Sequence, residues 1–539
     1  MQISSTPAQP AAYFPALLYA AASLAMVALL GDAYLFPRMS DDAYYYFVVA
    51  ENLARHGHSE FTPGVPTNGY HPLWMLLLAA AGRLFGYGLA TYKAVEIVAV
   101  AAGLAAFVYL FQIRSFLSAL FCTFALWYVI RSFALDGMET SLLAPGLILL
   151  AGACLSRRAG VERHRPLLLF LACGLCLGTR LDSALLVLPI LLFAAPVPLR
   201  ARLAILAALA ACGAAYALVN LWLFGMALPV SGTIKSLGGL QWNARYAAQI
   251  TGGLDPRTLL TLTSTTALYL APLAALALAE GCRRLLPAGA EKATLAFLYA
   301  SVAGLALHTA KLLFLSSWQA WPWYSYPLLA FALPTVLLVE RTLSPLSAYR
   351  ALAGLAGLLL VGYFFYHNLK PRSAEFAEIN RGFLAQHADR LGGAPVAMGD
   401  RAGSFAYAYP GKVYQLEGLV NDRAYLDALR AGGDIRALLC AKGVAFVLDY
   451  APPLADYATY RIEVLRPFLT TFRGPYLDVR REDEAAYYED LSRYDNRAYD
   501  EGDYRLYAWR LDCGQGATRP ADPAGGAAQT GSLAGAGRP

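Results

Sequence analysis

Two adjacent carboxylates, Asp41 and Asp42, follow the first long apolar run, in the stretch Ser40-Asp-Asp-Ala-Tyr-Tyr-Tyr-Phe47. Such a pair at a membrane surface is costly to desolvate and packs poorly. It is suited to taking a proton or holding a cation. Asn68, Tyr70 and His71 sit in a Pro- and Gly-rich loop between Glu60 and Trp74 and could hydrogen-bond a polar ligand. Asp136 and Glu139 are three apart, a spacing that shares one face of a helix. They could bind acceptor hydroxyls or a divalent cation such as Mg2+ or Mn2+, although no ligand set is identifiable. Plainer readings stand beside these. Ser40 or Asp41 could simply cap a helix over Asp41 to Arg55. Asp136 and Glu139 could cap another, and His71-Pro72 could only start the next.

The elements that must hold these residues are membrane helices. Of 539 residues, 58% are hydrophobic and only 15% charged, against about 25% charged in ordinary soluble domains. Stretches long enough to span lie near residues 12–31, 94–112, 116–134, 140–156, 166–179, 183–199, 203–224, 257–279, 293–316, 324–340 and 351–368. The first has no basic residues before it and no cleavage site after it, so it reads as a retained helix. The net charge of +6 comes from arginines in short loops and does not suggest nucleic acid.

Leu73 to Leu89, interrupted by Arg83 and Gly86, decides the topology. If it spans and the N-terminus is cytoplasmic, the cluster Arg157, Arg158, Arg163 and Arg165 falls outside, against the positive-inside rule. If it is re-entrant or interfacial, that cluster, Arg114, Arg200/Arg202, Arg283/Arg284/Lys292 and Arg341/Arg350 all fall inside. The second choice orders five loops and is adopted. It places the loop 32–72, Asp136, Glu139, Arg180, Asp182, Lys235 and everything after residue 368 on the outer face.

After residue 368 the pattern changes to short apolar strands alternating with amphipathic helices. Strands are expected at Pro395 to Gly399 and Val444 to Asp449, with a helix at Ala424 to Ala431. This marks a small α/β domain. Glu482 to Asp503 is expected at its surface, and the Gly/Ala/Pro-rich tail is expected to be disordered. Six of the eight cysteines lie in or beside apolar segments. The Cys173-x-x-Cys176 pair is therefore not read as a redox or zinc motif. Cys440 and Cys513 could form one bridge. Tyr44 to Tyr46, and the cluster Trp318, Trp321, Trp323, Tyr324 and Tyr326, are expected to be interfacial aromatics.

Asp-Asp-Ala-Tyr early in the first outer loop, followed by Thr67-Asn-Gly-Tyr-His-Pro-Leu-Trp74, resembles the GT-C superfamily of membrane glycosyltransferases. It is closest in style to the family 39-like and arabinofuranosyltransferase-like bacterial members. Asp136-Gly-Met-Glu-Thr140 resembles their acidic motif at the outer end of a helix. Thr179-Arg-Leu-Asp-Ser183 stands where they often show Arg-Pro-Glu. Gly399-Asp-Arg-Ala-Gly403 and Leu416-Glu-Gly-Leu-Val420 resemble strand–turn motifs of their C-terminal domains. The resemblance covers nearly the whole chain except the tail, and it rests on motif order and spacing.

It implies a sugar donor on a polyprenyl phosphate, bound from the outer leaflet, and an acceptor hydroxyl activated by Asp41 or Asp42, by inverting displacement. The acceptor would be a glycan, a lipid or a protein. A departing lipid phosphate needs cationic or metal stabilisation. Lys235, Arg180, His308 and Lys311 are the candidates. Lys311 could instead snorkel to the interface.

The expectation is thus a polytopic α-helical membrane protein of a bacterial-type cytoplasmic membrane, with about eleven spans and one re-entrant or interfacial helix. Residues 1–368 form the membrane domain, 369–513 an extracytoplasmic α/β domain and 514–539 the tail. The alternative is a transporter or flippase of lipid-linked sugars, which would place its ionisable groups near the membrane midplane. A catalytically inactive subunit on the same fold is the third reading.

Overall fold

The computed structural model of the chain describes residues 10–253, 264–281, 290–318, 320–370, 376–451, 454, 457–465, 474–488 and 505–514. It is mostly helical up to residue 369, with a sheet region beyond. Each stretch read as a span coincides with a helical segment, although residues 257–263 of one lie outside the described residues. Among the described residues, five helices are long and apolar enough to cross a membrane: Pro10–Arg38, Leu89–Phe111, Leu199–Phe224, Lys292–Phe314 and Ala348–Leu369. The others are shorter, such as α5 (Phe116–Ile130) and α6 (Thr140–Leu155). The first helix, α1 (Phe14–Leu35), passes beyond its expected end through a kink at Gly31, whose φ of 62° favours glycine.

Between α1 and the next apolar helix lies helix α2 (Asp41–His56), ended by Gly57 in the left-handed region. Helix α3 (Pro72–Phe85) has 14 residues and so rises about 21 Å, short of the roughly 30 Å hydrocarbon layer. Two neighbours fix where the chain leaves it. Helices α4 (Leu89–Phe111) and α6 (Thr140–Leu155) run side by side in the same direction. Glu96, near the start of α4, accepts from Gly137 N at 2.7 Å, just before α6. At their other ends Ser156 Oγ donates to Leu110 O at 2.6 Å. His71, before α3, lies 3.8 Å from Glu139 at the start of α6. Arg55 at the end of α2 stacks on Tyr87, between α3 and α4. The chain therefore leaves α3 at the end of the bundle where it entered. Arg158 and Arg165 bond to Tyr109 O and Ser156 O at the opposite end.

The C-terminal region holds a mixed five-stranded sheet in the order β2-β1-β3-β7-β6. Its strands are β1 (Val396–Met398), β2 (Val413–Gln415), β3 (Phe446–Ala451), β6 (Glu484–Tyr488) and β7 (Arg505–Arg510). β1 pairs in parallel with both β2 and β3, at Val396↔Val413 and Val396↔Phe446. β7 runs antiparallel to β3, with Val447 opposite Trp509. A separate pair, β4 (Thr459–Glu463) and β5 (Tyr476–Arg480), completes the set. The expected strands and the helix Arg423–Ala431 fall where the periodicity placed them.

Cys440 and Cys513 form a disulfide, while Cys173 and Cys176 are buried free thiols. The expectation that Glu482 to Asp503 is surface holds only in part. Ala486 and Tyr488 are buried in β6 against β7, and residues 489–503 lie outside the described residues. So does the expected disordered tail from residue 515.

The C-terminal region packs against the Thr67–Trp74 loop. A Cβ on Gly69 would sit 1.8 Å from Leu419 O, so only glycine allows the approach. Gly69→Ala is expected to force the two apart and cost about 1–3 kcal/mol, the range for overpacking a filled site. A fall in melting temperature in detergent checks this.

Candidate functional site

Ser40 caps α2: its side chain accepts from Ala43 N at 3.3 Å. Neither aspartate is consumed as the cap. Successive helical residues point about 100° apart, and the pair divides accordingly. Asp41 turns toward the C-terminal domain, where its carboxylate accepts from Gly403 N and Ser404 N, each at 2.9 Å, and from the Ser404 hydroxyl. Asp42 turns into a cavity of about 550 Å³ lying between the helix ends and the C-terminal domain.

One wall of the cavity is a buried charge network. Arg180, 4% exposed, donates to Glu139 Oε1 at 2.8 Å and, as a fork, to Asp182 at 2.9 and 3.0 Å. Tyr46 donates to the other Glu139 oxygen at 3.0 Å. Burial alone would lower Arg180 and raise Asp182. Their mutual attraction outweighs it, holding Arg180 far up and Asp182 far below the usual carboxylate range. His71 faces Glu139 across 3.8 Å. Burial lowers its imidazole, so the contact is with a neutral ring. Among the described residues, the buried His71 Nδ1 has no hydrogen-bond partner. Tyr70 also lines the cavity but is held by Ser59 Oγ at 2.6 Å.

The facing wall is cationic. Lys235 ends the short helix Val230–Lys235 and, among the described residues, has no carboxylate within ion-pair distance. Lys311 approaches Asp182 at 3.9 Å. Tyr324 lies beneath Arg180 and Lys311, 4.9 and 5.4 Å from its ring centre. Burial pushes Asp42 up to about 6, with Lys235 opposing and Asp41, Asp400 and Glu139 adding to the rise.

Of the residues singled out from sequence, Asp42, Tyr70, His71, Glu139, Arg180, Asp182, Lys235 and Lys311 line this one cavity. The rest lie elsewhere, for definite reasons. Asp41 is taken by the C-terminal domain. Asn68, 1% exposed, is a splint: its amide bonds to Asn220 Oδ1 and Leu228 O, and its carbonyl accepts from Val230 N at 3.0 Å. Asp136 points into a separate pocket of about 50 Å³ beside Lys93, Glu96 and Arg131. What Asp136 gives the site is its carbonyl, which accepts from Ser40 N at 2.9 Å. His308 is fully buried behind the cavity, with Nε2 3.0 Å from Tyr324 O and Nδ1 3.4 Å from Tyr326 Oη.

Of the two aromatic groups read as interfacial, the first is internal and the second only in part, since Trp321 and Trp323 are half-exposed. Tyr44, Tyr45 and Tyr46, and Tyr324 and Tyr326, are all buried. Tyr45, Tyr46, Tyr324 and Trp323 line the cavity. Sequence reasoning also missed Lys93 and Glu96. Lys93 donates to Glu96 and to Leu135 O, and Glu96 holds Gly137 N, so the pair supports the 135–139 turn from below. Two charges, the fifth and eighth residues of an apolar helix, were the available signal. Leu419, Val420 and Arg430 roof the cavity from the C-terminal domain.

The arrangement can accept a proton at Asp42 and hold an anion near Lys235. The Glu139 and Asp182 carboxylates are already engaged by Arg180. Among the described residues no group of three or more His, Cys, Asp or Glu is placed to hold a metal ion, so no ligand set for Mg2+ or Mn2+ emerges. No protein-family model matches the sequence, and no curated protein matches it significantly.

Proposed function

We propose that the chain is a membrane glycosyltransferase of GT-C architecture. It would move a sugar from a polyprenyl-phosphate donor to an acceptor hydroxyl outside the cytoplasm. The carrying observation is that Asp42, raised to about 6, faces Lys235, which has no ion-pair partner among the described residues, across one cavity. Asp42 takes the acceptor proton as the acceptor oxygen attacks the anomeric carbon. The bond from that carbon to the phosphate oxygen breaks, and the anomeric configuration inverts. A base poised near neutrality suits this task. Lys235 and Lys311 meet the charge that develops on the departing lipid phosphate. His71 and the Glu139–Arg180–Asp182 network orient the sugar hydroxyls.

The proposed topology places the cavity at the outer leaflet of a bacterial-type cytoplasmic membrane, with about eleven spans and α3 at the interface. Its support is threefold. The chain enters and leaves α3 at the cavity end. Arg158 and Arg165 collect at the other end, as the positive-inside rule requires of a cytoplasmic face. The Cys440–Cys513 bridge fits an oxidising compartment.

The test is turnover by the purified protein in detergent, with a panel of polyprenyl-phosphate hexoses and pentoses and cell-envelope extract as acceptor. Release of free polyprenyl phosphate, followed by mass spectrometry, is expected for at least one donor. A transporter performs no chemistry in micelles. Intact donor across the whole panel, with folded protein, would leave the transporter reading standing in its place.

A further inference from the structure

Asp41 is a half-buried carboxylate that the proposed chemistry does not use, yet an ordered chain of hydrogen bonds ends on it. Tyr450 on β3 donates to Asn380 Oδ1 at 2.8 Å. Asn380, on the helix Phe376–Leu391, donates through Nδ2 to Ser404 Oγ at 2.8 Å and to Arg401 O at 3.0 Å. Ser404 then donates its hydroxyl proton to Asp41. Tyr450, Asn380 and Ser404 are 2%, 0% and 0% exposed. One donor at each step of the series passes toward Asp41, while Tyr450 also donates to Phe376 O at 3.3 Å, so only an acceptor satisfies its end, and a carboxylate accepts all three local donors. The fit is tight on the other side as well: a Cβ on Gly403 would lie 2.3 Å from Asp41 O.

Helix α2 carries Asp41 and Asp42 as neighbours, so whatever fixes the first aims the second. We infer that Asp41 is a positioning residue, through which the Tyr450–Asn380–Ser404 chain of the C-terminal domain sets the placement of Asp42 in the cavity. Its catalytic consequence rests on the glycosyltransferase reading; its geometric content does not. A general base must lie within hydrogen-bond reach of its proton, and a displacement of about 1 Å can cost about 100-fold in rate. The groups acting on Asp42 are Asp41 on its own helix, Lys235 on Val230–Lys235, Asp400 after β1 and Glu139 before α6. Removing the Asp41 charge therefore lowers Asp42, whereas breaking the chain at Asn380 leaves every one of those charges in place.

The experiment compares Asn380→Leu, Ser404→Ala and Asp41→Asn in the full-length protein, with two readouts. Hydrogen exchange without substrate is expected to quicken over residues 41–47 in all three. In the transfer assay, kcat is expected to fall about 10- to 100-fold for Asn380→Leu and Asp41→Asn, with donor KM moving less than about threefold. Ser404→Ala, which keeps both backbone donors, is expected to lose less. The acid limb of the pH profile shifts to lower pH only in Asp41→Asn. Unchanged exchange over 41–47 in Asn380→Leu and Ser404→Ala overturns the inference, as does a loss confined to KM. If the unmodified protein transfers no sugar, the glycosyltransferase reading fails and the exchange measurement alone decides the role of Asp41.

Discussion

Asp42→Asn is expected to cut sugar transfer by about 10²- to 10⁴-fold, the usual range for a removed general base, while donor binding to Lys235 and Lys311 persists. In the unmodified protein, activity should fall as pH drops through about 6, because protonated Asp42 cannot accept the acceptor proton. The same residue carries an opposite expectation for stability. Its folded value lies above the ordinary 3.8, so the fold favours the protonated form. The cost of ionising it is absent below about pH 3.8, grows through about 6 and is fully present at neutrality. Asparagine removes that cost. Asp42→Asn should therefore melt a few degrees higher than the unmodified protein at pH 7.5, with the gap closing as pH falls below 6. Transfer assays and thermal denaturation on the same preparations check both halves. A variant that keeps full turnover sinks the assignment of the base.

Arg180→Ala is expected to be the most damaging single change to the fold. It strips Glu139 and Asp182, 1% and 15% exposed, of the guanidinium between them. Breaking a buried pair in this way costs roughly 3–5 kcal/mol, because the orphaned charge stays behind. Arg180→Lys should rescue little, since an ammonium cannot supply the fork to Asp182 and the bond to Glu139 together. Lys235→Ala makes the contrast. It leaves no described carboxylate without its partner, so the fold should tolerate it, while donor KM rises by at least about tenfold from the lost charge-assisted contact. Melting curves and donor KM, measured on both variants, separate the two roles. Equal destabilisation by the two would show that Lys235 is structural.

Several parts of this site were legible as residues before they were legible as geometry. The acidic pair, the Thr67–Trp74 loop and the Arg180-Leu-Asp182 step could be found from chemical type and position between apolar runs. The distribution of arginines grouped most of them on one face, and those residues do share a cavity. Facing was the hidden variable. Nothing in Ser40-Asp-Asp tells which aspartate meets the C-terminal domain, because the partner, Ser404, lies hundreds of positions away. Asp136 was chosen for a carboxylate, but the site uses its carbonyl, a group every residue has. His308 reads as a ligand for the same reason that it reads as core: both places are apolar. Tyr46 and Tyr324 look like belt aromatics until their hydroxyl environments are known. Lys93 and Glu96 cancel each other's charge within one turn, which hid them inside a span.

The contact between Gly69 and Leu419, together with the bonds from residues 403 and 404 to Asp41, has a consequence for the order of events during synthesis. The helix bearing Asp42 leaves the ribosome early, and its clamp and the cavity roof come from residues made far later. At about 5–20 residues per second, the interval between positions 42 and 404 is roughly 20–70 s. For that time Asp42 lacks the contacts from residues 403 and 404 to its neighbour Asp41, and the cavity lacks its roof. A truncated or stalled product would carry most of the lining and lack the part that aligns it. The cavity is thus closed only once residues 403–430 have been made.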